Sequence, residues 1–118
     1  MNKNHLIISS AMGALGVILG AFGAHSFKSI LSPEMLETYK TGILYHLIHS
    51  VVLLAISLNQ KFNLKVPFYF ILTGIILFSF SIYIYCLTGI KTIVMITPVG
   101  GMSLIIGWIS IIYYASKK

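Results

Sequence analysis

The residues of this chain best suited to chemistry are two histidines, His46 and His49, in the run YHLIHS at 45–50. No charged residue stands between 41 and 60, so both lie inside an apolar stretch. Three residues apart on a helix, they share a face that also carries Tyr39, Gly42 and Leu53. An imidazole so placed has three uses. It can pack as a neutral group hydrogen-bonded to Ser, Thr, Tyr or backbone partners, it can relay protons or ions, or it can ligate a metal or haem. His25 is the histidine that can join them, which makes His25, Tyr39, His46 and His49 a candidate polar cluster. Ligation lacks its partners: no acid lies in the apolar stretches, and the single cysteine, Cys86, stands on a different one. The residues therefore call for no metal and no cofactor.

Other chemistry is equally short of parts. The sequence has no nucleophile and base pair, phosphate-cradling glycine loop, acid dyad or CxxC motif, which argues against an enzyme. Cys86 has no partner for an intrachain disulfide and reads as a small apolar filler. A net charge of +6 raises the question of nucleic acid. The lysines, however, flank apolar runs, where membrane orientation and anionic headgroups account for them. The expected partner is the lipid bilayer, and no nucleic acid is expected.

The elements that must hold the histidines are membrane-spanning helices. Hydrophobic residues make up 58% of the 118 and charged ones 8%, bunched so that 4–27, 41–60, 66–90 and 92–116 carry no charge. Four spans follow, at about 6–24, 42–59, 66–87 and 93–115, in one domain without a linker. The fold class is all-α, an integral membrane four-helix bundle with short loops. The first span is the most patterned. At a rise of roughly 1.5 Å per residue it is about 28 Å long, close to the hydrocarbon thickness of a bilayer. Ser9, Gly13, Gly16, Gly20 and Gly23 recur at intervals of four, three, four and three, a stripe that lets a neighbouring backbone come close. This predicts a central helix 1 with left-handed packing along the stripe. The run also fits the start of a signal peptide, with Ala21-Phe22-Gly23 as cleavage site, but it exceeds the usual apolar length of about 7–15 residues. Span 1 is expected to be retained.

Along the chain, Ser32-Pro33-Glu34 is a helix start: serine at the N-cap, proline at the first helical position, an acid at the positive helix end. That helix should run from about 33 into span 2, with Glu37 pairing to Lys40. In span 3, Gly74 and Ser81 share a face, and Tyr83 and Tyr85 at the far end read as an interfacial belt. Span 4 is interrupted at Thr97-Pro98, so its regular helix is expected over about 98–115 with Thr97 as cap, and residues 93–96 buried or interfacial. Gly100, Ser103, Gly107 and Ser110 repeat with the period of the helix 1 stripe, which pairs helices 1 and 4. Trp108 reads as packed mid-span, and Tyr113, Tyr114, Lys117 and Lys118 as an anchor. Four spans put both termini on one side with Lys3, Lys61, Lys65, Lys117 and Lys118, against Lys28, Lys40 and Lys91 opposite. The excess places the termini in the cytoplasm.

Taken together, GAFGAH at 20–25, YHLIHS at 45–50, LFSFSIYIY at 77–85, ITPVGG at 96–101 and GW at 107–108 resemble the small bacterial membrane proteins called domain of unknown function 423, related to transmembrane protein 256. The likeness covers nearly the whole chain. It implies a multi-pass membrane protein of about this length, with no established activity, substrate or cofactor to carry over. Position 46 departs from the family's pattern, in which glutamine commonly stands where this chain has His46. The resemblance thus implies that His25 with His49 is the better pair.

Two functions remain in view. One is a structural or interaction module of the bacterial plasma membrane, whose small-residue faces bind its own helices, a second copy or another membrane protein. The alternative is a transport or channel protein for a proton, ion or small solute, using the histidine and tyrosine cluster in the outer half of the bundle. A wet cavity reaching His49 favours the second, and a dry interior favours the first.

Overall fold

The structure, a computed structural model, describes residues 3–117. Lys118, assigned above to the terminal anchor, lies outside them. The element order is α1 (Lys3–His25), α2 (Pro33–Leu58), α3 (Lys65–Ile75), a π-helical turn (Ile76–Phe80), α4 (Ser81–Thr88), a 3₁₀ turn (Lys91–Met95) and α5 (Thr97–Ser116). α3, the π turn and α4 form one continuous rod, Lys65–Thr88. Among the described residues four rods are thus long and apolar enough to cross a membrane, as the spans of the sequence require.

Local chemistry accounts for the rod ends. The Ser32 hydroxyl accepts from the Met35 N–H at 3.2 Å, with Pro33 opening α2. Asn59 closes α2: its side chain donates to the Phe62 carbonyl at 2.6 Å and accepts from the N–H groups of Lys61 and Phe62. α4 ends at Gly89, whose φ of 70° is left-handed and whose N–H returns to the Tyr85 carbonyl. Glu37 and Lys40 pair at 3.5 Å on the exposed face. Thr97 does not cap α5 as expected. Ile96 takes the cap position, and the Thr97 hydroxyl instead meets Ser81 Oγ at 2.6 Å, tying the start of α5 to α4.

Packing follows a different order from the one the stripes suggested. α1 lies chiefly against α2, and α5 against α3 and the π turn. The bundle is flattened, 52 × 25 × 17 Å. α1 is therefore peripheral, while α2 and the Lys65–Thr88 rod are central. The small-residue stripes are the seams, with other partners. A methyl group on Gly16 would stand 2.7 Å from Leu47 Cδ2 of α2, and one on Gly23 would overlap the Tyr39 ring. One on Gly107 would stand 2.5 Å from Ile71 Cγ1 of α3, and one on Gly100 would overlap the backbone of Leu77 and Phe78. Ser103 Oγ reaches across to the Phe70 carbonyl at 2.7 Å, whereas Ser110 bonds within its own helix to Gly107. Gly74 packs on Leu104 and Gly20 on Ile43, but Gly13 meets nothing within 4 Å. In lipid, where apolar burial supplies little drive, such close backbone approach supplies the cohesion.

Burial is inverted relative to a protein folded in water. Val17 is 62% exposed and Ile112 66%, while Ser9, His46, Ser50 and Ser79 are buried. An apolar exterior around a polar seam suits a hydrocarbon solvent. The core of Met12, Leu53, Ile56, Phe68, Ile71, Ile75 and Leu104 draws on all four rods. A second cluster of Tyr39, Ile82, Tyr83 and Cys86 fills the other half.

Candidate functional site

Between the two clusters lies a polar layer centred on His46, which is 0% exposed. Its Nε2 is 2.8 Å from the Met12 carbonyl of α1, and its Nδ1 is 2.8 Å from the Tyr83 hydroxyl of α4. One side chain on α2 thus joins three rods. The Met12 carbonyl is reachable because the residue one turn on is Gly16, where a methyl group would stand 3.2 Å from His46 Cδ2. The same device recurs one heptad away. The Tyr39 hydroxyl of α2 donates to the Leu19 carbonyl of α1, and the residue one turn after Leu19 is Gly23. In both cases a glycine four residues past the acceptor opens the helix groove, and a polar side chain of α2 enters it. The acceptor keeps its own helix bond, because a carbonyl has two lone pairs.

His49 turns the other way, towards α5. Its Nδ1 is 2.7 Å from the Tyr45 carbonyl, and its Nε2 accepts from Trp108 Nε1 at 3.0 Å. It stands at the floor of a groove of about 480 Å³ on the outside of the bundle, lined by Tyr45, Phe78, Met102 and Trp108. The two histidines share a helix face by count, yet they diverge across the ridge of α2 and do not form a joint site. His25 is exposed at the end of α1. The four-residue cluster therefore resolves into Tyr39 and His46 at the α1 seam, His49 at α5 and His25 apart. Among the described residues no three His, Cys, Asp or Glu side chains come together as metal ligands.

Three participants escaped the sequence reading. Tyr83, assigned to an interfacial belt, is buried and is the partner of His46. Its position one turn after Ser79, which bonds the Gly42 carbonyl at 2.7 Å, is the signal that places it on the α2 face. Trp108, expected to be packed, is 46% exposed, and its indole donates to His49. His5 is buried, stacked on Phe68 at 3.9 Å and 3.2 Å from the Tyr69 hydroxyl. It stands one turn before Ser9 and so extends the small-residue stripe of α1. Cys86 is buried with its Sγ 3.5 Å from the Met35 carbonyl, the filler role expected of it.

No buried side-chain nitrogen or oxygen among the described residues lacks a hydrogen-bond partner. Chemically, the layer is a set of closed donor and acceptor pairs that fix helix register.

The likeness noted from the sequence extends to known proteins. The family described as "Protein of unknown function (DUF423)" matches residues 19–101. The chain is 36% identical to the UPF0382 membrane protein YwdK of Bacillus subtilis (strain 168), over 98% of each chain. It is 36% identical to a UPF0382 membrane protein of Haemophilus influenzae, over 100% of this chain and 98% of the relative. It is 32% identical to the UPF0382 inner membrane protein YgdD of Escherichia coli (strain K12), over 87% and 82%. No solved structure matches it. With four membrane-length rods around a closed polar layer and relatives named as membrane proteins along its whole length, the chain belongs to the DUF423 family of membrane proteins, a family without an established activity.

Proposed function

We propose that this protein is a non-catalytic structural and interaction module of the bacterial cell membrane, with both termini and the 59–64 turn on the cytoplasmic side. The observation that carries the reading is the closure of its polar layer: His46 is wholly enclosed and every buried polar side-chain atom among the described residues is already paired. A conduction path needs water or exchangeable polar groups along its length. The groove below Trp108 reaches only His49, and from the outside of the bundle. The cytoplasmic assignment rests on the lysine excess at the terminal end.

The test is reconstitution of the purified protein into liposomes carrying a pH-sensitive dye and an imposed proton gradient. Dissipation at the protein-free rate is expected. Accelerated dissipation that His46→Leu abolishes overturns the module reading in favour of the transport alternative. Partnership is checked by cysteine crosslinking at Gly13, the α1 stripe position with open space beside it. A second copy gives a product of twice the mass, and a different membrane protein gives another mass.

A further inference from the structure

At the terminal end of the bundle a cleft of about 550 Å³ opens between the start of α1, the end of α2 and the start of α3. Lys3 and Lys65 stand on its rim, with Asn59, Gln60 and Asn63 from the connecting turn and His5 among its lining residues. The turn is shaped by the Asn59 bonds already described. Asn63 Oδ1 accepts from the Lys65 N–H at 3.3 Å, which leaves its amide NH₂ as a donor. Among the described residues nothing acidic stands nearby to neutralise the lysines. The only two acids of the chain, Glu34 and Glu37, lie in the first turns of α2, at the far end of the bundle. The cleft is also set at headgroup height, because α1 and α3 begin there and α2 ends there, while Phe68 one turn in is already core.

We propose that this cleft binds the phosphate of an anionic phospholipid headgroup. Lysine is a compact cationic donor suited to phosphate, and the side-chain amides add neutral donors to its remaining oxygens. A lipid is the source the geometry favours, because its acyl chains would continue along the exposed apolar flank of α3, where Val66, Tyr69 and Phe70 face outwards. A soluble phosphate would use the same polar groups and none of that flank. The proposal is independent of which side of the membrane the cleft faces.

The test is native mass spectrometry of the full chain in detergent, with phosphatidylglycerol or phosphatidylcholine of identical acyl chains added. Retention of phosphatidylglycerol well above phosphatidylcholine is expected, falling about tenfold or more in the double variant Lys3→Gln with Lys65→Gln and unchanged in Lys28→Gln with Lys91→Gln at the opposite end. Helical circular dichroism of each variant separates loss of the site from loss of the fold, and the two single variants replace the double one if it unfolds. Equal retention of the two lipids, or equal loss in both double variants, overturns the proposal. So does binding of inorganic phosphate, read by phosphorus NMR, with no preference between the lipids, since it assigns the cleft to a soluble anion.

Discussion

Trp108 Nε1 and His49 Nε2 are 3.0 Å apart, and the indole can only donate. His49 Nε2 must therefore carry a lone pair. Its Nδ1, facing the Tyr45 carbonyl, must carry the hydrogen. His46 has the opposite arrangement. Its Nε2 faces the Met12 carbonyl, which can only accept, so the hydrogen is on Nε2 and Nδ1 accepts from Tyr83. Two neutral imidazoles three residues apart hold opposite tautomers because their partners lie on different helices.

Nitrogen-15 NMR of histidine-labelled protein in detergent should show this directly at pH 7. His46 is expected with its proton on Nε2 and His49 with its proton on Nδ1. Trp108→Phe should move the second signal set and leave the first in place. A doubly protonated pattern at His46 or His49 would contradict the hydrogen-bond assignment.

His46 is expected to matter more than His49 for stability, because it holds α1 and α4 to α2 while His49 holds only a half-exposed tryptophan. His46→Leu should cost about 2 kcal/mol, two interhelical bonds at roughly 0.6–1.7 kcal/mol each in membrane proteins, and Trp108→Phe under about 1 kcal/mol. His46→Gln should fall between, since an amide keeps one donor and one acceptor. Unfolding in a denaturing detergent series gives the ranking, and a more damaging Trp108→Phe would reverse the assignment.

The glycines of α1 should sort by what stands opposite them. Gly13→Ala, beside open space, is expected to gain about 0.5–1 kcal/mol from helix propensity. Gly23→Ala should lose stability, because its methyl group overlaps the Tyr39 ring and drives the hydroxyl from the Leu19 carbonyl. On α5, Gly100→Ala should be the least tolerated of all, since it meets backbone that cannot rotate aside. Equal melting temperatures for Gly13→Ala and Gly23→Ala would remove the seam from α1.

Topology is open to cysteine labelling. With Cys86→Ala as background, single cysteines at Lys28 and Asn63 occupy opposite ends of the bundle. An impermeant maleimide added to intact cells should modify position 28 and spare position 63. Labelling of position 63 alone would place the termini outside.

How far the fold could be read from the sequence depended on range. The four spans, the Ser32-Pro33 start and the Glu37 to Lys40 pair are local, and each was legible because hydropathy and caps act within one helix. The helix pairings were not. A glycine stripe announces that a backbone will approach, but it carries no address, and Gly16 and Gly107 have the same spacing whichever rod they meet. The polar layer was half legible. YHLIHS marked the histidines, while the divergence of His46 and His49 depends on where α1 and α5 stand around α2. Tyr83 was hidden by the π turn, which has no sequence signature in an apolar run.

That turn lets the third rod absorb a one-residue change in length. A π turn accommodates one residue more than the α pitch allows, so everything beyond Phe80 is rotated by about 100° from the face a regular helix would give it. Removing one residue between Ile76 and Phe80 and relaxing the rod to a plain helix would leave Tyr83 and Ser81 on the faces they hold now, whereas winding the present residues at the α pitch would swing both off His46 and Thr97 together. Over those five positions the rod can shorten by one residue without turning its far end, but the Ser79 hydroxyl that holds the Gly42 carbonyl must stay.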